Sequence, residues 1–424
     1  MKKLLSVLLA SATAVTACAG LAACDGAENS KELVIWCPSA AMAVYTQLGE
    51  EFISTYNDGA YKDYTIKVIA HEEGNAETDL GVDLTQGADV YFTEGGQIER
   101  LIAKKYIQPL TGKYAKYAET VKADNTEAAL PTITKGETVY AFPATADNTW
   151  FFWYDNTFFD EDDIVSFDKV FKKAQAANKH IAFAYDNGWY NTAWFMTAGC
   201  TMDYVVDSSG TKKYKIDVDS EKGLLAAQSL HTYVSKETGM FANGENPVII
   251  GCDNSTIPNG AKDGSVVAGF QGSWISGDLP AKIVPAATAP KIKIGEEEKD
   301  MVNFFTYKYA GVNPARKNVD IAMELAAYIT NEAGQAARFE ATGSNPSNKK
   351  VAASDAVMES PIAQAIADRA AHGYSQLSQT ADFWSSFETF GKNLRLDTGA
   401  TTYAGLADAL KLLQVGVLGD ETPA

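Results

Sequence analysis

Residues 140–159 read YAFPATADNTWFFWYDNTFF, and this stretch decides how the rest of the chain is organised. It begins as a strand and is expected to break at Pro143, because proline cannot donate to a sheet and favours a strand end or an edge. Asp147 and Asn148 follow, and a longer aromatic strand is predicted from Trp150. We interpret the stretch as a crossover from one lobe to a second. One continuous buried strand with a proline bulge is the local alternative.

Upstream of the crossover, apolar strand patterns alternate with helical ones. Strands are predicted at residues 32–36 (ELVIW), 64–70 and 88–92 (ADVYF). Helices are predicted at residues 45–56, 80–87 and 98–105. This alternation favours a doubly wound α/β sheet with ligand chemistry at the carboxyl ends of its strands.

A second strand–helix alternation follows the crossover and predicts a second lobe. Its strands are expected at residues 181–185 and 266–270, with a helix capped by Ser166 and an amphipathic helix near residues 220–238. Residues 303–312 form a strand that carries the chain back. The predicted lobes are residues 32–145 with 307–345, and residues 146–306 with 346–424.

The first residues form a secretory signal segment. Residues 1–23 combine two early lysines, an apolar stretch and small residues before Cys24. The sequence LAAC at residues 21–24 resembles the lipobox of bacterial lipoproteins, whose cysteine is acylated. Cys18 is a second, weaker candidate, and an uncleaved membrane helix is the alternative, since the apolar stretch approaches ~20 residues. Residues 24–31 are then a lipid-anchored tether.

The charge and the cysteines exclude several function classes. The chain carries a net charge of −18, which repels nucleic acid and anionic lipid surfaces. No zinc-ligand spacing of cysteines or histidines is present, so no metal site and no cofactor are predicted. Cys37, Cys200 and Cys252 allow either one disulfide and one free thiol, or three buried thiols.

Taken in order, several short segments resemble the solute-binding lipoproteins of bacterial ABC importers, in the maltose/maltodextrin-binding class. The segments are LVIW at residues 33–36, residues 88–110, GETVYAFP at 136–143, GSW at 272–274, ATGSN at 341–345 and FW at 383–384. The resemblance covers essentially the whole chain after the tether. It implies an α/β fold of the class II periplasmic-binding-protein type, with two doubly wound lobes joined by several crossovers.

The resemblance also implies a function and its partners. The expected protein is a monomeric receptor, not an enzyme, anchored outside the cytoplasm through its lipid. It delivers an oligosaccharide to the permease subunits of an ABC importer, after the lobes close about a hinge at residues 144–147. Two departures bear on which sugar is bound. The loop CPSAA at residues 37–41 has no Asp or Lys, and no Asp-Arg pair follows residue 94.

The candidate ligand-binding residues are of two kinds. Aromatic rings stack on the C–H faces of sugars, while carboxylates and amides bind the hydroxyls. The stacking candidates are Trp274 and Trp384, followed by Trp189 and Tyr190. The hydroxyl-binding candidates are Glu94, Gln97 and Asp147.

Two other functions are weighed against sugar transport. A polyamine or other small-solute receptor of the same fold suits an acidic cleft lined by tryptophan. A secreted glycoside hydrolase needs two carboxylates about 5–9 Å apart, and no motif in the sequence supports such a pair.

Overall fold

The computed structural model describes residues 31–206, 212–375, 379–396 and 401–419. The predicted signal segment and Cys24 lie outside the described residues. The strands are β1 (Glu32–Cys37), β2 (Thr65–Ala70), β3 (Val90–Glu94), β4 (Thr134–Lys135), β5 (Thr138–Val139), β6 (Phe142–Asn148), β7 (Phe151–Asp155), β8 (His180–Ala182), β9 (Met202–Val206), β10 (Lys212–Ile216), β11 (Ile249–Ile250), β12 (Val266–Gln271), β13 (Ile283–Pro285), β14 (Ile292–Ile294), β15 (Glu297–Lys299), β16 (Asn303–Val312) and β17 (Gly373–Ser375).

The helices alternate with these strands. They are α1 (Met42–Thr55), α2 (Ala76–Val82), α3 (Gly95–Lys104), α4 (Ala115–Asp124), α5 (Leu130–Ile133), α6 (Phe167–Ala176), α7 (Gly188–Thr197), α8 (Glu221–Val234), α9 (Thr256–Asp263), α10 (Val319–Ile329), α11 (Glu332–Thr342), α12 (Lys349–Ala352), α13 (Asp355–Met358), α14 (Pro361–Ala371), α15 (Ala381–Leu396) and α16 (Leu406–Leu418). Within the described ranges, no helix has the length and apolarity that crossing a membrane requires.

The first sheet has the strand order β17-β16-β3-β1-β2, and β6 also pairs with β16. β1 lies parallel to β2 and β3, with Glu32 opposite Thr65 and Ile35 opposite Val90. The predicted strands upstream of the crossover are therefore confirmed. β16 runs antiparallel to β3, which makes the sheet mixed rather than wholly parallel. We call this sheet, with the core that packs on it, the first lobe.

The second sheet has the order β11-β8-β12-β7-β13. β12 is parallel to β8, and β7 lies antiparallel to β12. Helices cover both faces because apolar side chains project from both. Trp194, Leu230 and Phe270 belong to the core on one face, and Ile257 and Ile366 to the core on the other. We call this unit the second lobe. The lobe bounds given above stay a prediction.

The chain passes from one sheet to the other between β6 and β7. β6 pairs with β16 in the first sheet, whereas β7 pairs with β12 and β13 in the second. The crossover is confirmed, and the single continuous strand is wrong. The predicted break at Pro143 is also wrong, since β6 runs through this residue. Proline is tolerated because β16 is the one strand that β6 pairs with in the described chain, and the Pro143 carbonyl accepts a hydrogen bond of 3.1 Å from Gln335.

β16 makes the return crossing, as predicted for residues 303–312. Phe304, near its start, is buried in the core of the second lobe, and Tyr309 is buried in the core of the first. One strand therefore contributes side chains to both lobes. Lys308 lies between these two aromatic residues and faces the space described below.

Two local predictions are corrected by the structure. The helix predicted at residues 80–87 is α2, Ala76–Val82, which ends where the Asp83 carboxylate accepts hydrogen bonds from the backbone and hydroxyl of Thr85. Ser166 occupies the N-cap position of α6, but its side chain makes no capping hydrogen bond. Its backbone instead bridges to Lys291.

The three cysteines after the tether are free thiols. Cys37 and Cys200 are buried and Cys252 is half-buried, so the alternative with one disulfide is wrong. Burial raises the pKa of each of the three thiols to about 12. At neutral pH they are therefore uncharged.

Candidate functional site

A cavity of about 650 Å³ is lined by residues of both lobes. From the first lobe come the segments that follow the carboxyl ends of β1, β2 and β3: residues 38–40, residues 72–74, and Glu94 with the start of α3. From the second lobe come the starts of α7 and α15 and the loop after β12. The position agrees with the rule that α/β sheets bind ligands at the carboxyl ends of their strands.

The second lobe supplies three tryptophan rings to the cavity. Trp189 lies in the first turn of α7 and stacks on Phe304 with ring centroids 5.3 Å apart. Trp384 lies in the first turn of α15, with its ring 6.4 Å from that of Trp189 at an angle of 56°. Trp274 begins a short 3-10 helix, Ser273–Asp278, and is 37% exposed. Rings of this kind present apolar faces to a ligand.

The first lobe supplies charged groups to the same cavity. Lys308 Nζ lies 2.7 Å from the carboxylate of Glu73, and the two side chains are only 11% and 7% exposed. Burial alone would lower the pKa of Lys308, but the carboxylates of Glu73 and Asp147 outweigh it and raise that pKa. Lys308 is therefore a permanent cation. Its Nζ also lies 5.8 Å from the centre of the Trp274 ring. This cation–π contact links the first-lobe wall of the cavity to the second-lobe wall.

Glu94 is an acidic group of the cavity whose carboxylate lacks a close partner among the described residues. Among the described residues, no hydrogen bond or ion pair to its carboxylate is found. Burial raises its pKa, with Lys308 acting in the opposite direction and Glu73 and Glu72 adding to the increase. A partly buried carboxylate without a partner is a strong acceptor that a ligand hydroxyl or amine satisfies.

Arg100 and Gln97 line the cavity but are engaged within the protein. Arg100 Nε donates to Glu77 at 2.8 Å. Gln97 accepts from the Glu77 N–H at 3.0 Å and donates to the Glu73 carbonyl at 3.0 Å. Gln97 therefore joins the loop after β2 to the helix after β3. This arrangement fixes the polar wall before any ligand arrives.

Five of the seven described site candidates line the cavity: Trp274, Trp384, Trp189, Glu94 and Gln97. Tyr190 and Asp147 are not on its surface. Tyr190 is buried against Trp150, with ring centroids 5.4 Å apart. Asp147 is 2% exposed, and its carboxylate accepts a hydrogen bond of 2.6 Å from Thr145.

Sequence reasoning missed Glu73, Arg100, Asn254 and Lys308 in the cavity wall. Two signals were available in the sequence. Glu73 lies three residues after the last residue of β2, at a carboxyl end where ligand chemistry is expected. Lys308 is the single charged residue in the aromatic strand NFFTYKYAGV. Charged residues are rarely buried without a partner or a role, so this lysine was a detectable anomaly.

Comparisons with known proteins agree with this geometry. The profile of a family described as "Bacterial extracellular solute-binding protein" matches residues 51–365. A galactooligosaccharide-binding protein of Bacillus subtilis (strain 168) is 23% identical over 320 residues, 72% of each chain.

Solved structures share the fold over almost the whole chain. A complex with acarbose has a TM-score of 0.77 at 27% identity, covering 91% of this chain and 98% of its own. An unliganded maltodextrin-binding protein from L. casei BL23 has a TM-score of 0.72 at 22% identity, with the same coverage. A maltotriose-binding protein of Thermus thermophilus, bound to maltotriose, also has a TM-score of 0.72, at 15% identity and the same coverage.

These similarities confirm the predicted two-lobe fold, which is a fold of binding proteins rather than of enzymes. The family match extends over more than half of the sequence and includes parts of both lobes. The chain therefore belongs to the family of bacterial extracellular solute-binding proteins.

Proposed function

We propose that this protein is a receptor outside the cytoplasm that binds a maltooligosaccharide or a similar oligosaccharide and delivers it to the permease subunits of an ABC importer. The observation that carries the proposal is the cavity of about 650 Å³, with three tryptophan rings on one wall and Glu94, Glu73 and Lys308 on the other. Its volume lies within the range of small-ligand sites. The acarbose complex and the galactooligosaccharide-binding relative support an oligosaccharide as the ligand.

The cavity chemistry suits a sugar because the faces and the edge of a pyranose ring need different partners. The C–H face packs on an indole, while the hydroxyls at the ring edge donate to carboxylates and accept from cations. Trp189 and Trp384 form an angled pair, and Glu94 supplies the unsatisfied acceptor across the cavity. No reaction is proposed, because a binding role accounts for this arrangement.

A thermal-shift screen of the purified protein tests the proposal. Maltotriose, maltotetraose, galactooligosaccharides and spermidine are each added to saturation. At ~100 times Kd, a ligand stabilises the native state by about 2.7 kcal/mol. We expect an oligosaccharide to raise the Tm and spermidine to leave it unchanged. Stabilisation by spermidine and by no sugar would contradict the proposal.

Spermidine is included because one observation favours a cationic ligand. Glu72, Glu94 and Glu388 all line the cavity, and Glu94 lacks a close partner in the described chain. Against this, Lys308 and Arg100 line the same cavity, and a cation placed among them is repelled. The hydroxyls of a neutral sugar form hydrogen bonds with both acidic and basic groups. We therefore favour a sugar over a cation as the ligand.

We further propose that the ligand is trapped by closure of the two lobes about residues 144–147, inside β6. The cavity supports this, since both lobes contribute to its wall. Small-angle X-ray scattering is expected to give a smaller radius of gyration once ligand saturates the protein. An unchanged radius would contradict closure.

The proposal includes a lipid anchor at Cys24 on a monomeric protein. Cys24 lies outside the described residues, and its support is the LAAC sequence after the signal segment. Mass spectrometry of the mature N-terminus is expected to find acylation at Cys24, and Cys24→Ser is expected to abolish it. Lipid retained on that variant would assign the anchor to another residue. Light scattering at micromolar concentration tests the monomeric state.

Glu94→Gln is expected to weaken oligosaccharide binding while stabilising the free protein at neutral pH. A hydrogen bond to a charged group contributes about 1.5–3 kcal/mol, which is roughly tenfold or more in Kd. Burial raises the pKa of Glu94 above 4.5 in the folded protein, so its contribution to stability is present below that pH and is lost as the pH rises through the raised value. The glutamine variant does not undergo this loss.

Titration calorimetry and denaturant melts at pH 4 and pH 7 measure both effects. Glu119→Gln on the exposed face of α4 is the control, and we expect it to change neither quantity. Unchanged affinity in Glu94→Gln would remove Glu94 from the site.

A further inference from the structure

The Trp274 ring lies directly on the backbone of Gly272. A Cβ built on Gly272 would fall 2.0 Å from Cζ3 of this ring and 2.3 Å from Cε3 and Cη2. The backbone of Gly272 is extended, with φ −83° and ψ −177°, a conformation that any residue adopts. Glycine is therefore required here because of the adjacent indole ring and not because of the backbone conformation. A side chain at this position would displace the ring.

Hydrogen bonds fix the same ring at its edge. Trp274 Nε1 donates to Asn254 Oδ1 at 3.0 Å, and this oxygen also accepts from Gln271 Nε2 at 3.5 Å. Oε1 of the Gln271 side chain accepts from the hydroxyl of Tyr190 and from the Gly272 N–H at 3.2 Å. These two donors hold the amide so that its NH₂ group points toward Asn254. A continuous chain of hydrogen bonds, which we call the relay, thus runs from Tyr190 in the core through Gln271 and Asn254 to the Trp274 ring in the cavity.

We propose that Gly272 and the relay Tyr190–Gln271–Asn254 hold the Trp274 indole in its ligand-binding orientation before the ligand arrives. They are positioning residues, and this role rests on the proposed function, in which Trp274 packs on a sugar ring. Immobilising one side chain upon binding weakens an interaction by about two- to tenfold. A ring that is already fixed avoids that loss. Tyr190, a predicted contact residue, then acts from the core through Gln271.

The first test removes the acceptor for the indole N–H. Asn254→Leu keeps the approximate size of the side chain, and we expect it to shift the Trp274 indole resonance in ¹⁵N NMR spectra of the ligand-free protein. We also expect it to weaken maltotetraose binding about three- to tenfold, as for loss of one hydrogen bond. Asn254→Asp keeps the Oδ1 acceptor and is expected to restore most of the affinity. Trp274→Phe identifies the resonance.

The second test displaces the ring from below. Gly272→Ala is expected to weaken maltotetraose binding about tenfold or more, approaching the effect of removing an aromatic anchor. The Gly272 N–H that donates to Gln271 is retained in this variant. Gly277→Ala is the matched control, because it lies in the same 3-10 helix and its added Cβ meets nothing within 4 Å. This control is expected to bind like the wild type.

A double-mutant cycle separates positioning from direct contact, since Asn254 itself lines the cavity. In the Trp274→Ala background, Asn254→Leu is expected to have no further effect on Kd. An equal loss in both backgrounds would mean that Asn254 contacts the sugar directly, and would overturn the proposal. Unchanged affinity and an unmoved indole resonance in Gly272→Ala and Asn254→Leu would also overturn it.

These outcomes differ from failure of the proposed function. If the wild type binds no oligosaccharide, the function fails and the relay has no role in binding, even where the indole resonance shifts. If the wild type binds and Trp274→Ala weakens binding while Gly272→Ala does not, the function stands and only the positioning role is wrong.

Discussion

Trp274→Ala is expected to weaken oligosaccharide binding by ~2 kcal/mol or more, about 30-fold in Kd, because aromatic anchors dominate binding energies of this kind. The unliganded protein is expected to keep nearly all of its stability. The ring is 37% exposed and belongs to neither core of the second lobe, so its loss opens no cavity in a core. Titration calorimetry measures the affinity, and urea melts measure the free energy of unfolding.

Trp194→Ala is the control for this contrast. Trp194 is fully buried in the core of the second lobe, and its truncation is expected to cost about 3–5 kcal/mol of stability. The loss of stability in Trp384→Ala is expected to lie between the losses in Trp274→Ala and Trp194→Ala. The Trp384 ring both lines the cavity and contacts Phe304 and Phe383. If Trp274→Ala binds like the wild type while its stability falls, Trp274 is a structural residue and the sugar site lies elsewhere.

Lys308→Met is expected to lower the free energy of unfolding by about 3 kcal/mol or more. Lys308 and Glu73 are both almost fully buried, and removing Lys308 leaves the Glu73 carboxylate with only the more distant Arg338, at 4.0 Å, as a counter-charge among the described residues. Asp147 adds to this cost, because its carboxylate also stabilises the lysine cation. Denaturant melts at pH 7 measure the change.

The double variant Lys308→Met/Glu73→Leu is expected to recover part of the lost stability, since both charges of the pair are then gone while Asp147 and Arg338 stay buried. Lys113→Met is the control, because Lys113 pairs with Asp320 in solvent and such pairs contribute little. A small effect of Lys308→Met would mean that water reaches Glu73 freely. The pair would then be a surface contact despite its burial in the structure.

The sequence predicts the fold well because local patterns specify most of it. Strand–helix alternation on both sides of residues 140–159 identifies two sheets, and the crossover is confirmed by the pairing of β6 and β7 with different sheets. The edge position favoured by Pro143 agrees with the structure, but the predicted strand break does not, because the course of β6 through this residue depends on its pairing with β16, more than 150 residues away. The sequence around Pro143 does not predict that pairing.

The cavity could be predicted only in part, for a similar reason. Helix starts and strand ends mark Trp189, Trp274, Trp384 and Glu94, which local sequence identifies. The Lys308–Glu73 pair joins residues more than 230 positions apart. The two residues meet only in the folded chain, so local sequence does not predict the pair. Tyr190 has an aromatic neighbour in the cavity but turns into the core, because helix position alone does not fix which side a ring faces.

The three free thiols make the receptor convenient for building a reagentless sugar sensor. Burial raises the pKa of Cys37, Cys200 and Cys252 to about 12, which disfavours the thiolate at pH 7, and thiolate is the form that maleimides attack. A new cysteine at Ser39, on the cavity rim, is expected to outcompete all three for an environment-sensitive dye. The labelled protein would then convert ligand occupancy into a fluorescence signal without prior removal of these native cysteines.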